Sequence, residues 1–155
     1  MKEIYREVAF AELMPLIEDS FRQDLTVTLP ITGGSMRPLF FHKRDSVVLS
    51  ACNPYSLKRG DVPLYRRDNG QYVLHRIVRV DEDTFTLTGD AQWQLEDGLP
   101  KKNVVAVMTG FVRKGRAVDC RNIGYRIYVA VWMLLRPLRP LMLRVWRCLR
   151  RVFRK

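Results

Sequence analysis

Cysteine and histidine are scarce in this 155-residue sequence, and their scarcity argues against several kinds of site. The three cysteines, Cys52, Cys120 and Cys148, form no C-x-x-C pair and leave one thiol over. This spacing argues against a disulfide framework and against a zinc site. The two histidines are His42 and His75. We therefore expect neither a metal nor a cofactor, and any histidine chemistry must use one of these two rings.

Long apolar runs are missing near the N-terminus, which also lacks the charged-then-apolar pattern of a secretory signal. The largely apolar segment 123–135 would span only about 20 Å as a helix, whereas the hydrocarbon layer of a bilayer is about 30 Å thick. Extending this segment to residue 149 would include five arginines. Arginine is costly at the bilayer centre, which opposes simple spanning, although arginines near the ends could snorkel. The sequence leaves open whether the tail spans a membrane or lies on it.

Acidic residues are missing after Asp119, although the chain has 16 of them. Ten of the 27 Lys and Arg residues follow that position, so the tail carries nearly all of the net charge of +11. The preceding 17 basic and 16 acidic residues are almost balanced, which gives no electrostatic reason to expect DNA or RNA binding by the core.

Beyond Pro140, a helical wheel puts the arginines on one face and the apolar side chains on the other, with Trp146 at the border. This pattern predicts a basic amphipathic helix that suits an anionic membrane surface. A solvated or partner-bound tail is the alternative.

Hydrophobic periodicity predicts a β-rich domain between two helical ends. Residues 2–23 have apolar side chains at helical spacing, and Pro15 is expected to bend or split this helix. Strand-like segments separated by turns then follow. They are 25–29, 45–51, 61–66, 71–80, 84–88, 103–112 and 116–119, with a polar loop before Asn103. Pro63 predicts that the third is an edge or bulged strand.

Short strands at this spacing predict a mainly β, antiparallel fold. We expect an N-terminal helix over 1–24, a β-rich domain over 25–120 and a helical tail over 121–155. The turn 68–70, Asp-Asn-Gly, is a strong hairpin signal inside the β-rich domain.

Residues 32–38, Thr-Gly-Gly-Ser-Met-Arg-Pro, place the hydroxyl of Ser35 on a predicted tight turn. The two glycines allow unusual backbone angles and close approach of another segment, and Pro38 fixes the exit. A serine on a turn beside free backbone N–H groups is what acyl transfer needs. An ordinary turn uses the same residue types.

Three further motifs follow this turn in order. They are Lys58-Arg59-Gly60-Asp61-Val62, Val73-Leu74-His75-Arg76-Ile77-Val78 and Leu87-Thr88-Gly89-Asp90. With Gly34-Ser35-Met36-Arg37-Pro38, the order resembles the signal peptidase I family, in its Ser-His branch of endoplasmic reticulum and archaeal enzymes, over about residues 25 to 115. LexA-type self-cleaving repressors share the implied fold but use a lysine base, where this sequence has His75. The membrane anchor that usually precedes the serine motif in the family is not expected in this chain.

The resemblance implies that Ser35 is the nucleophile and His75 the general base, whereas a lone histidine in a strand would be a half-buried structural residue. It also implies an acidic residue at Asp90 and a second about six positions later. That later position is either Glu96, by the spacing of the endoplasmic reticulum enzymes, or Asp97, by that of shorter bacterial relatives, and we favour Asp97. Asp90 either supports the site by a hydrogen bond to backbone or to His75, or caps a turn.

The resemblance further implies an oxyanion hole built from the Ser35 N–H and neighbouring backbone, including Gly34. A side-chain donor is missing, because Gly33 stands where bacterial signal peptidases have a hydroxyl residue. Met36 and Pro38 would shape the cleft in which an extended peptide adds to a strand edge.

We therefore expect a membrane-associated serine endopeptidase that cleaves signal peptides or precursor proteins. The sequence leaves open which side of the membrane the site faces. Two alternatives remain: a catalytically silent membrane-surface module and, through the basic tail, a nucleic-acid-binding protein.

Overall fold

The computed structural model describes residues 10–138 of the chain. The first part of the predicted N-terminal helix and the predicted basic helix beyond Pro140 lie outside these residues. Within them the structure is mainly β, with two antiparallel sheets and an α-helix on either side of the strands in sequence. The predicted mainly β, antiparallel fold class is confirmed.

The helices are α1 (Phe10–Arg22) and α2 (Ile123–Leu134). The strands are β1 (Val27–Pro30), β2 (Ser46–Ser50), β3 (Pro63–Arg66), β4 (Tyr72–Leu74), β5 (Arg76–Val80), β6 (Thr84–Thr88), β7 (Glu96–Pro100), β8 (Val104–Arg113) and β9 (Arg116–Asp119). The larger sheet has the order β1-β2-β8-β3-β4, with β9 added to β8. The smaller sheet has the order β5-β6-β7.

Helix α1 packs on the larger sheet through an apolar stripe. Met14, Ile17 and Phe21 are buried, at the spacing of one helix face, and join a core that includes Leu49. The helix continues through Pro15, so the predicted split does not occur. Burial of the residues on either side of the proline stabilises the helix across it.

Strand β3 is central, because it pairs with β4 on one side and β8 on the other. The edge position suggested by Pro63 is therefore wrong, while the bulged alternative agrees with a register shift between Leu64 and Tyr65 on the β8 side. Pro63 begins the strand, where a missing N–H is tolerated.

His75 lies between two strands that belong to different sheets. The sequence predicted one strand over 71–80, but β4 pairs with β3 in the larger sheet and β5 pairs with β6 in the smaller one. The chain crosses between the sheets at His75, which is buried there. The imidazole is therefore placed where both sheets meet, and not along the face of one strand.

Strand β7 was predicted as part of a polar loop. Its residues include Glu96, Asp97 and Gly98, and only Leu99 is buried. Such a segment has no apolar alternation to mark it as a strand. It pairs with β6, and this pairing brings Glu96 opposite Leu87 in the smaller sheet.

Candidate active site

Ser35 lies half-buried in an irregular turn between β1 and β2. The turn is held from both sides, because the Gly33 N–H donates to Nδ1 of His42 at 3.0 Å and the Phe40 N–H donates to the Met36 carbonyl at 3.0 Å. Gly33 has a φ of +83°, which favours glycine. Gly34 lies outside the left-handed region, so only one of the two glycines is required by its backbone angle.

Met36 and Pro38 flank the serine in different environments. The Met36 side chain is in the core at 3% exposure, so it anchors the turn and does not line an open cleft as predicted. Pro38 is exposed.

The Gly-Asp motif packs directly on the serine. The Ala91 N–H donates to the Ser35 carbonyl at 2.7 Å. A Cβ placed on Gly89 would lie 2.6 Å from the Ser35 carbonyl oxygen and 3.0 Å from its Cβ, so this close approach requires glycine. Thr88 precedes Gly89 and pairs in the sheet with Arg76, the residue after His75. The serine turn, the Gly-Asp motif and the histidine motif therefore meet in the fold.

His75 has its Nδ1 turned toward two side chains. Nδ1 lies 3.1 Å from the Tyr65 hydroxyl oxygen and 3.6 Å from Glu96 Oε2. The Tyr65 hydroxyl donates to the same Glu96 oxygen at 2.6 Å. Within residues 10–138 the structure shows no hydrogen bond to Nε2 of His75, and none from the Ser35 hydroxyl to His75. Nε2 is thus the ring nitrogen that Tyr65 and Glu96 do not contact.

Arg67 holds the Glu96 carboxylate in place. Its Nε donates to Oε1 and its Nη2 to Oε2, both at 2.8 Å. These hydrogen bonds lower the pKa of Glu96, although partial burial opposes the shift. The carboxylate is therefore ionised at neutral pH beside His75.

Tyr65 and Arg67 are site residues that the sequence interpretation missed. A signal for Tyr65 existed in the hairpin turn at 68–70, because the register that follows from it sets residue 65 opposite residue 73, two positions before the histidine. Arg67 lies two residues after Tyr65, beyond the end of β3.

Asp97, which we favoured as the partner of His75, is engaged elsewhere. It accepts a hydrogen bond from Thr86 Oγ1 at 2.7 Å and lies 3.7 Å from the Arg79 guanidinium, with its side chain 60% exposed. Successive side chains of a strand point to opposite faces, so Glu96 and Asp97 cannot both face the imidazole. The structure places the alternative, Glu96, beside His75.

Asp90 belongs to a buried ion pair and not to a hydrogen bond with His75. It accepts two hydrogen bonds from Arg76, at 2.8 and 2.7 Å, and both side chains are fully buried. Arg76 also donates to the Gly60 carbonyl at 2.8 Å and to the Tyr125 hydroxyl at 3.2 Å. Arg76 thus links its own histidine motif to the Gly60-Asp61 motif, the Gly89-Asp90 motif and α2. Asp90 supports the site by holding this arginine.

Burial lowers the pKa of His75, and the negative charge of Glu96 opposes the shift. The imidazole is therefore neutral near pH 7 and can accept a proton.

Burial raises the pKa of Cys52 to about 11 and that of Cys120 to about 12, so these thiols do not compete as nucleophiles. Among residues 10–138, no group of His, Cys, Asp and Glu is placed to hold a metal ion.

A cleft of about 790 Å³ lies apart from Ser35 and His75, between α2 and the start of the Gly60-Asp61 motif. Its cationic lining residues are Lys58, Arg59, Arg121 and Arg126, and its apolar ones include Val62, Met108, Val129, Met133 and Leu134. The cleft is a basic, partly apolar surface feature on the α2 side, and neither Ser35 nor His75 lines it.

The sequence matches no protein-family model and no curated protein.

Proposed function

We propose that the protein is a serine endopeptidase of the signal peptidase type, with Ser35 as nucleophile and His75 as general base. The observation that carries the proposal is a buried imidazole whose Nδ1 contacts the Tyr65 hydroxyl, which donates in turn to Glu96, in a motif that packs through the Gly89 segment against the serine turn. We also propose that the fold is the one shared by signal peptidases and LexA-type repressors.

In the proposed reaction, the Ser35 oxygen attacks the scissile carbonyl carbon while its proton passes to Nε2 of His75. The carbonyl oxygen becomes an oxyanion that accepts hydrogen bonds from the backbone at Gly34 and Ser35. The Nε2 proton then goes to the leaving amine as the C–N bond breaks. Water, deprotonated by the same imidazole, hydrolyses the acyl ester and regenerates Ser35.

The surroundings of the turn suit an extended peptide. A Cβ on Gly33 would meet no atom within 4 Å, and one on Gly34 would first meet the Arg37 side chain at 3.5 Å, so this side of the turn is open. Strand β1, which leads into the turn, pairs only with β2 in the part of the chain that the structure describes. Its other edge can accept a peptide as an added strand.

Apolar groups near the turn fit a substrate with an apolar segment. The Ala91 N–H holds the serine carbonyl, and the loop that continues from it exposes Trp93 and Leu95. Signal peptides and membrane-proximal precursors have apolar segments of this kind.

A membrane-surface location is also part of the proposal, and α2 supports it. Its exposed apolar residues recur at the spacing of one helix face and continue just beyond the helix: Ile123, Ile127, Val131, Leu134 and Leu138. The cations of the basic cleft line the same cavity as residues of this helix. Within residues 10–138, no helix has both the length and the apolar character needed to cross a bilayer.

Cleavage of a fluorogenic peptide with small residues before the scissile bond tests the proposal, using the full chain in detergent or vesicles. We expect Ser35→Ala to abolish turnover and His75→Ala to lower it by at least about 100-fold. His42→Gln is the control, because it removes the other histidine, which holds the serine turn through Gly33. A loss of turnover in this variant measures the effect of a disturbed turn. Unchanged turnover in Ser35→Ala would refute the proposal, and an inactive wild type with an unreactive serine would favour the silent membrane-surface module.

A further inference from the structure

A tyrosine hydroxyl stands between the histidine and the carboxylate of this site. The Tyr65 oxygen is 3.1 Å from His75 Nδ1 and 2.6 Å from Glu96 Oε2, whereas Nδ1 and that carboxylate oxygen are 3.6 Å apart. A separation of 3.6 Å is too long for a hydrogen bond. Within the described chain, the histidine therefore contacts the carboxylate through the tyrosine.

The direction of these hydrogen bonds follows from the number of protons available. A tyrosine hydroxyl has one proton, and the short contact with an ionised carboxylate indicates that it is donated to Glu96. The tyrosine oxygen can then only accept from His75, which requires the imidazole proton on Nδ1. Nε2 keeps its lone pair, as a general base requires.

Neighbouring groups hold this arrangement in one orientation. Arg67 binds both oxygens of Glu96 and so prevents the carboxylate from rotating away. Tyr65 is fully buried, in a core that includes Ile77 and Leu87, so its ring has no space to swing out.

We propose that Tyr65 is the residue that positions His75, fixing its Nδ1–H tautomer, and that Glu96 acts on the histidine through Tyr65. The catalytic consequence rests on the proposed function, whereas the tautomer does not. The tyrosine oxygen, polarised by Glu96, would also stabilise the imidazolium formed when Nε2 takes the serine proton.

His42 provides an internal reference. Its Nδ1 accepts the Gly33 N–H, so its proton must be on Nε2. The two histidines of the chain are therefore expected to be opposite tautomers.

Nitrogen-15 NMR of the imidazole rings in the full chain tests the proposal, with His42→Gln used for assignment. At a pH where both rings are neutral, we expect His75 as Nδ1–H and His42 as Nε2–H. Tyr65→Phe should convert His75 to a mixture or to Nε2–H, and Tyr55→Phe, which removes an exposed hydroxyl elsewhere, should change neither ring. His75 found as Nε2–H in the wild type would overturn the proposal, as would an unaltered tautomer in Tyr65→Phe.

Kinetics give the second readout. We expect Tyr65→Phe to lower kcat by about 10- to 100-fold with KM changed less than about twofold, because the base is misoriented while the substrate site is intact. Equal kcat in Tyr65→Phe and wild type would contradict the positioning role of Tyr65.

If Tyr65→Phe does not fold, Glu96→Gln provides the second variant, because it replaces the ionised acceptor of the Tyr65 proton. It should weaken the preference of His75 for Nδ1–H, and an undiminished preference would overturn the proposal. An inactive wild type whose Ser35 is also unreactive, but with the expected tautomers, would refute the peptidase and leave the tautomer assignment standing.

Discussion

At the scale of single residues, the geometry around His75 predicts a specific pH dependence. Burial lowers the pKa of His75 from its ordinary value of 6.5, and Glu96 raises it. A base must be deprotonated to act, so kcat/KM should rise with pH to a plateau, with a midpoint below 6.5. Glu96→Gln removes the charge that raises the pKa, so its midpoint should lie at still lower pH. The measurement is kcat/KM against pH for both proteins.

The neighbouring carboxylate provides the comparison for that experiment. Asp97 contacts Thr86 and Arg79, so Asp97→Asn should shift the midpoint less than Glu96→Gln does and lower kcat less. A larger shift in Asp97→Asn would contradict the placement of Glu96 beside the imidazole. It would support Asp97, which we favoured from the sequence, as the partner of His75.

The Arg76–Asp90 pair predicts a large effect on stability. Both side chains are fully buried, so Asp90→Asn would leave an uncompensated guanidinium in the core. We expect the free energy of unfolding to fall by about 3–5 kcal/mol in urea titrations. The exposed Arg79–Asp81 pair provides the control, and Asp81→Asn should cost less than about 1 kcal/mol. Equal losses in the two variants would contradict the structural role of Asp90.

At the scale of elements, regular apolar patterns predicted the fold well. The strands predicted over 45–51 and 103–112 and the hairpin turn before β4 all appear in the structure. Strand β7 could not be predicted in this way, because its sequence is polar and it is stabilised by pairing with β6. The break at His75 was also missed, since apolar residues continue on both sides of it and a change of sheet leaves no trace in periodicity.

The candidate site was likewise predictable in part. Ser35, His75 and Asp90 stand in motifs that can be found from residue types and order alone. The choice between Glu96 and Asp97 depends on which of two adjacent side chains faces the imidazole, and so on the register of β7. Tyr65 was missed because its contact with the histidine depends on the three-dimensional meeting of β3 and the crossover.

The contact between the Gly-Asp motif and the serine turn predicts that Gly89→Ala is damaging. The added Cβ would lie 2.6 Å from the backbone oxygen of Ser35, so the turn must move. We expect a lower Tm and a loss of kcat of about 100-fold, the size expected for a reacting group displaced by about 1 Å. Thermal unfolding and peptide cleavage measure the two effects.

Gly34→Ala is the matched control for stability. Its Cβ would first meet the Arg37 side chain at 3.5 Å, an ordinary contact, and its backbone angle does not require glycine. Its Tm should equal or slightly exceed that of the wild type, because alanine restricts the unfolded chain. A lower Tm in Gly34→Ala than in Gly89→Ala would show that close packing on Ser35 is not the cause.

At the scale of the whole molecule, the α2 side combines exposed apolar side chains with the cations of the basic cleft. Leu134 is 76% exposed on the apolar face of that helix, and Leu16 is 69% exposed on α1. If α2 lies on an anionic membrane, Leu134→Asp should weaken binding to phosphatidylglycerol-containing vesicles by about tenfold, and Leu16→Asp should leave it unchanged. Vesicle flotation of the full chain measures both. Weakening by Leu16→Asp alone would place the membrane contact on α1.

Labelling with a fluorophosphonate, a probe that reacts with activated serines, followed by mass spectrometry, tests whether Ser35 and His75 form a catalytic pair. The chain has four other serines, which serve as internal controls. We predict that Ser35 alone is labelled rapidly, and that His75→Ala slows its labelling by at least about 100-fold. Labelling of Ser35 no faster than that of the other serines, or at the same rate in His75→Ala, would contradict a Ser35–His75 catalytic pair.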